Sequence, residues 1–170
     1  RETRETRATL APAWTESAEF VLLGHPDKLC DAAADAIVDH VMRGDALGQC
    51  GVEIACVFER VFVTGRIAAH RAVLDALDVA ALVRRTYAEA GYGMDAAGHL
   101  WGPRPQDLRV DTALCFGEFE SGEREHRHLC DDQAICVGYA NTMTETHHLP
   151  PAHWLANRIG RKLLRLRAER

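Results

Sequence analysis

Between positions 24 and 28 the chain reads Gly-His-Pro-Asp-Lys, and aspartates follow at 31, 35 and 39. His25, Asp27 and Lys28 fall within one turn of a helix that the following residues predict. They bring together an imidazole, a hard carboxylate oxygen and a compact positive charge. A helix N-terminus carries unpaired N–H groups and the positive end of the helix dipole. With those three side chains it suits a phosphate chain and its metal ion. Pro26 fits the first helical position, where its preset φ helps and its missing N–H costs nothing. Asp27, Asp31, Asp35 and Asp39 recur four apart on one face, and like charges at that spacing repel by a few tenths of a kcal/mol per pair. A uniform acidic stripe of this kind points to a cation or a basic partner nearby. Beyond Asp31, a solvated or interface face is the simpler reading than a metal site. His25 and Asp27 taken alone would also serve as a plain N-terminal cap.

The elements that position these residues follow from periodicity. Leu29, Ala33, Ala36, Ile37 and Val41 lie on the opposite helical face, so the helix runs to about Arg43 and stops at Gly44. Before it, Glu19–Leu23 is apolar enough for a short strand or approach segment. Val52–Phe58 and Val61–Ile67 are β-branched and aromatic, and they read as an antiparallel hairpin turning at Glu59-Arg60. Glu53 is out of place in the first strand unless it faces water or a cation. A second helix is predicted over His70–Ala90, with Val73, Leu77, Ala80, Ala81, Val83 and Tyr87 inward and Gly91 as its C-cap. A Gly- and Pro-rich loop precedes a strand at Arg109–Phe116. Glu118–Asp132 is polar, and Gln133–Tyr139 reads as a strand or buried segment. Leu149-Pro150-Pro151 breaks the chain before a basic amphipathic helix over 152–170. The expected fold is α+β, with helices packed on one face of a mostly antiparallel sheet. The expected organisation is a disordered leader over 1–15, a first domain over 16–130 and the start of a second over 131–170.

Composition narrows the function classes. The 170 residues carry a net charge of −5, so no chain-wide basic field points to nucleic acid. No apolar run has the length of a membrane span, and the start is not that of a signal peptide. The six cysteines form no CxxC and no dense scaffold, which predicts reduced thiols and a cytoplasmic protein. His126, His128, Cys130, His147 and His148 match no standard zinc spacing. The missing initiator Met and the uncapped final helix are those of a fragment or of a trimmed open reading frame.

The Gly24–Lys28 motif with its acidic helix, the hairpin, Asp132-Gln133, Gly138-Tyr139-Ala140 and Leu149-Pro150-Pro151 together resemble the S-adenosylmethionine synthetase (methionine adenosyltransferase) family. The likeness covers roughly residues 16–165, the family's N-terminal domain and the start of its central one. It implies a homodimeric or higher oligomeric enzyme that joins methionine sulfur to C5′ of ATP with Mg²⁺ and K⁺, releasing phosphate and diphosphate. By that resemblance His25 and Lys28 are catalytic: His25 stabilises the departing oxygen and Lys28 lies against the phosphates. Asp27 ligates Mg²⁺ and Glu53 binds K⁺. Glu19 and Asp132 lie close to the nucleotide and substrate, with His25.

The sequence also departs from the family pattern. Leu22-Leu23 replace a Ser-Glu pair, and Asp131-Asp132-Gln133-Ala134 replaces a turn with two glycines. Arg66 stands where the resemblance places the glutamate that holds the methionine amino group, a reversal of charge. The segment between Phe116 and Asp132 is shorter than the family's mobile lid. These departures define the other expectations. One is a degenerate or truncated paralogue acting as a nucleotide-binding or interaction subunit. Another is an enzyme using a different acceptor, whose carboxylate would meet Arg66.

Overall fold

The computed structural model of the protein describes residues 15–95, 97–126 and 135–169. Two compact units form, one spanning Val21–Ile135 and the other joining the stretch that ends at Phe20 to the stretch from Cys136 onward.

In the larger unit, helix α1 (Pro26–Gly44) begins where the proline signal places it, and its buried residues are Leu29, Ala33, Ile37 and Val41. That four-residue repeat is one stripe of a helix. Strands β1 (Gln49–Val57) and β2 (Arg60–Ala68) form the antiparallel hairpin, with Glu53 opposite Thr64 and Val57 opposite Arg60. The turn residue Phe58 takes a left-handed φ of 52°.

The predicted second helix is two. Helix α2 (Arg71–Asp75) ends early and α3 (Val79–Glu89) restarts after Asp78. The Asp78 side chain accepts from the Ala81 N–H at 2.9 Å. An aspartate that can cap a new helix competes with continuation of the old one, and the periodicity of 70–90 hides that restart. Of the expected inner face, Val73, Val83 and Tyr87 are buried, joined by Val79 and Thr86. A short β3 (Gly93–Met94) and β4 (Leu100–Trp101) pair in the Gly-rich loop. Strand β5 (Arg109–Gly117) follows and pairs in parallel with β2. Two parallel strands cannot be joined by a tight turn, and the α2–α3 stretch provides the crossover.

The sheet order is β1-β2-β5. The α+β expectation holds, with an antiparallel hairpin extended by one parallel strand. Val61, Val63 and Ile67 of the central strand are buried, and Cys50, Val52, Ile54 and Cys56 of β1 pack against the same core. This face is covered by α1 and α3. Gly65 on β2 has φ 131°, and a Cβ there would meet the Gly51 carbonyl oxygen at 2.1 Å. Only glycine lets the two strands approach so closely. The other face of the sheet presents Val57, Ala55, Phe62 and Glu53. After β5 comes one turn of helix, α4 (Glu123–His126).

In the smaller unit, α5 (Pro151–Ala168) is the basic amphipathic helix expected. Gly160 lies against the Phe20 ring, which a Cβ would meet at 2.0 Å. The stretch from 135 to 140 is not a strand: it is irregular, and Ile135, Val137 and Tyr139 are exposed. Apolar content made it read as buried, but it has no hydrogen-bonded partner strand among the described residues. Glu19–Phe20 here and Val21–Leu23 of the larger unit likewise form no strand.

Candidate active-site motif and its surroundings

His25 is the N-cap of α1, in extended backbone (φ −70°, ψ 141°), and its Nδ1 accepts from the Asp27 N–H at 3.2 Å. The capping contact assigns the tautomer. Nδ1 must be unprotonated to accept, so in the neutral ring the proton lies on Nε2. Nε2 has no partner among the described residues. The cap therefore presents a hydrogen-bond donor beside the helix N-terminus, where an anionic oxygen would be received.

The side chains of His25 and Asp27 are 50% and 84% exposed, with 3.8 Å between Nδ1 and Asp27 Oδ2. Lys28 Nζ lies 3.5 Å from Asp31 Oδ2, and both are well exposed. Such a contact contributes little and leaves the ammonium available. Local capping and helical spacing thus bring three of the expected residues together at one accessible helix end.

The backbone behind them is tied down. Tyr92, just after Gly91, donates its hydroxyl to the Gly24 carbonyl at 2.7 Å. Its ring meets Tyr87 edge-on with centroids 5.1 Å apart. Burial pushes the Tyr87 phenol well above its usual range, and the hydrogen bond it shares with Cys56 acts in the same direction. The far end of α1 is held by Asp45, which is buried and accepts from the N–H groups of Leu47 and His70, each at 3.0 Å. Sequence reading missed Tyr92 and Asp45. An aromatic set between two turn glycines was the available signal for Tyr92; Asp45, one residue past a helix-stopping glycine, carried none.

Glu53 projects from the face of β1 opposite the one on which α1 packs, and it is exposed beside Thr64. Glu19 is exposed in the smaller unit. Asp132, with the rest of 127–134, lies outside the described residues. His147 and His148 are turn residues with positive φ. Among the described residues no group of three His, Cys, Asp or Glu could hold a metal ion. Asp27 offers one carboxylate. That fits Mg²⁺, which is commonly held by one or two carboxylates with phosphate oxygens and water completing the shell.

Arg66 already has a carboxylate partner. Its Nη2 donates to Glu123 Oε2 at 2.9 Å and its Nη1 to Oε1, a bidentate pair, with Glu120 Oε1 3.9 Å away. The pair ties the segment after β5 to the exposed face of β2. Hydrogen bonding to Glu123 raises the Arg66 pKa, and the reciprocal bond lowers that of Glu123.

The fold is thus an α+β domain that presents an accessible capped helix end bearing His25, Asp27 and Lys28. Comparison with known proteins makes the class specific. Residues 14–103 match the model of the S-adenosylmethionine synthetase N-terminal domain. The S-adenosylmethionine synthase of Brachyspira hyodysenteriae is 29% identical over 160 residues, covering 91% of this chain and 40% of that protein. That of Corynebacterium efficiens is 32% identical over 168 residues, covering 90% and 39%. Among solved structures, an unusual S-adenosylmethionine synthetase from Campylobacter jejuni aligns with a TM-score of 0.51 at 27% identity, over 61% of this chain and 26% of that one. The chain belongs to the S-adenosylmethionine synthetase family. It spans about 40% of the length of the relatives it matches.

Proposed function

We propose that this chain supplies the nucleotide-binding N-terminal part of a methionine adenosyltransferase, an enzyme that forms S-adenosylmethionine from ATP and methionine and releases phosphate and diphosphate. The observation that carries this reading is the capped start of α1 in a chain of this family. In the reaction, methionine sulfur attacks C5′ of ATP and the triphosphate departs. His25 Nε2, protonated in the neutral capping ring, would donate a hydrogen bond to the departing oxygen. Lys28 and the first N–H groups of α1 offset the accumulating negative charge. Asp27 would hold Mg²⁺, which when bound neutralises phosphate oxygens as a Lewis acid. Glu53 is our candidate for K⁺, supported by an exposed carboxylate on a strand and by family resemblance. Glu19 and Asp132 are proposed at the nucleotide and substrate on resemblance alone. A second copy and further sequence would complete the site, in the cytoplasm. No described helix is long and apolar enough to cross a membrane.

Arg66, neutralised by Glu123, is not a free cation awaiting an acceptor's carboxylate. This supports methionine over the alternative acceptor.

The test is Mg²⁺-dependent ATP binding by the chain, followed by calorimetry, with S-adenosylmethionine and phosphate assayed after methionine and K⁺ are added. Binding should weaken at least about tenfold in Asp27→Asn, the order expected for losing a charge-assisted metal contact. ATP affinity that is equal with and without Mg²⁺ and unchanged in Asp27→Asn would sink the proposal.

A further inference from the structure

Tyr92 reaches the start of α1 from the far end of α3. That helix closes in a Schellman turn. Gly91 takes a left-handed φ of 87°. Its N–H donates to the Ala88 carbonyl at 2.9 Å, and the Tyr92 N–H donates to the Tyr87 carbonyl at 3.0 Å. In this motif the residue after the glycine also packs its side chain back on the last turn of the helix. Here the Tyr92 ring meets Tyr87 edge-on, with centroids 5.1 Å apart. Gly102, at φ 59°, lies so close to the Tyr92 ring that a Cβ there would collide with it. The backbone, Tyr87 and Gly102 thus set the ring, and the ring carries the hydroxyl to Gly24.

The bond it makes there acts on a single peptide unit. The Gly24 carbonyl accepts from the Tyr92 hydroxyl at 2.7 Å, an ordinary length for an O–H donor. At the other end of the same peptide, the His25 N–H donates to the Leu22 carbonyl at 3.0 Å. Glycine restrains its own ψ very little, so the orientation of the Gly24–His25 peptide depends on these two bonds. On the other side of His25, Pro26 bars the helical region to the residue before it, and His25 is extended at φ −70° and ψ 141°. The held peptide fixes φ and Pro26 fixes ψ. The Cα–Cβ bond of His25 then has one direction, and the cap to the Asp27 N–H orients the ring.

We infer that Tyr92 is a positioning residue for His25: its hydroxyl holds the Gly24–His25 peptide in the orientation that aims Nε2 at the departing oxygen. The inference rests on the proposed reaction. Tyr92 acts through the Gly24 carbonyl and is not itself catalytic. Loosening that peptide moves a donor that counts in the transition state and leaves Asp27, Lys28 and the first N–H groups of α1 to bind phosphate. The loss therefore falls on kcat more than on the KM for ATP. A misplacement of the order of 1 Å costs up to about a hundredfold.

The test is Tyr92→Phe, which keeps the ring and deletes only the hydroxyl. In the isotope-labelled chain, proton–nitrogen spectra of the imidazole show whether His25 Nδ1 accepts a hydrogen bond, and amide exchange at His25 and Asp27 reports the turn and the cap. In Tyr92→Phe the Nδ1 signal should move toward that of an unbonded ring. Both amides should exchange roughly two- to tenfold faster, the range for losing one hydrogen bond of ordinary net strength. In the enzyme carrying this domain, kcat should fall roughly tenfold to a hundredfold, with the KM for ATP within about twofold of wild type. Val83→Ala truncates a buried residue of α3 and lowers stability without touching the hydroxyl, so it should keep the wild-type ring signal, amide exchange at both residues and kcat. Wild-type ring signals and exchange in Tyr92→Phe overturn the inference. So does the same change in Val83→Ala, or a moved ring with kcat unaltered. Absence of S-adenosylmethionine from the wild-type enzyme would count against the proposed reaction instead, and the ring and amide measurements on the chain would still decide whether Tyr92 holds His25.

Discussion

His25 caps α1 with one ring nitrogen and, in the proposed reaction, donates from the other. Nδ1 accepts from the Asp27 N–H and caps α1, which leaves Nε2 as the donor. The two jobs can be separated. His25→Ala removes both and should cost about 1 kcal/mol of stability as well as function. His25→Asn keeps an oxygen able to cap, so stability by urea unfolding should return to within a few tenths of a kcal/mol of wild type. Turnover in the enzyme carrying this domain should stay low in both. Recovery of turnover in His25→Asn would mean that the imidazole only caps. At this scale the motif was legible in the sequence, because a helix start is written in local residue types. The hydroxyl bond from Tyr92 to Gly24 was not legible, because those residues lie 68 positions apart.

Among elements, the tie between β2 and α4 is the sharpest revision. Arg66 looked in sequence like a charge reversal facing a ligand. Folding places Glu123 against it and cancels the charge. The Glu123 carboxyl is held below its usual value, so the pair stabilises the fold above the normal carboxylate range, near pH 4.3. That contribution is lost as pH falls through the lowered folded value. Residues 118–126 should accordingly become more open to proteolysis on acidification below pH 4. Arg66→Gln should show the same cleavage already at pH 7. Equal protection in Arg66→Gln and wild type at both pH values would show that the pair does not hold this segment. The helix break at Asp78 teaches a related lesson: a cap residue can split a continuous apolar period, and only the hydrogen bond to Ala81 reveals it.

For the molecule as a whole, the large unit depends on one core shared by α1, α3 and one face of the sheet. Ile37 is fully buried at its centre, together with Val41, Val63 and Ile67. Ile37→Ala should lower unfolding stability by about 2–5 kcal/mol, read from the shift of the urea midpoint with the slope unchanged. A loss below about 1 kcal/mol would mean that the helices dock on the sheet without forming a common core. The basic helix α5 in the smaller unit exposes Leu155, Ile159, Leu163 and Leu166 along one side. This is an apolar stripe of the kind that a sheet or another helix covers.

The sequence by itself determined the helix that opens at Pro26, the hairpin, the strand after the Gly-rich loop, the final basic helix and the family. Each rests on residues near one another in the chain, where period, caps and turn chemistry operate. Only the tertiary structure decided that β5 joins β2 in parallel, that Glu53 lies on the face away from α1, that Glu123 neutralises Arg66, and that Tyr92 reaches Gly24 behind the capped helix end. Those outcomes depend on strand register and on which faces pack together. Register and packing set the distance between residues far apart in sequence, and no local pattern encodes it.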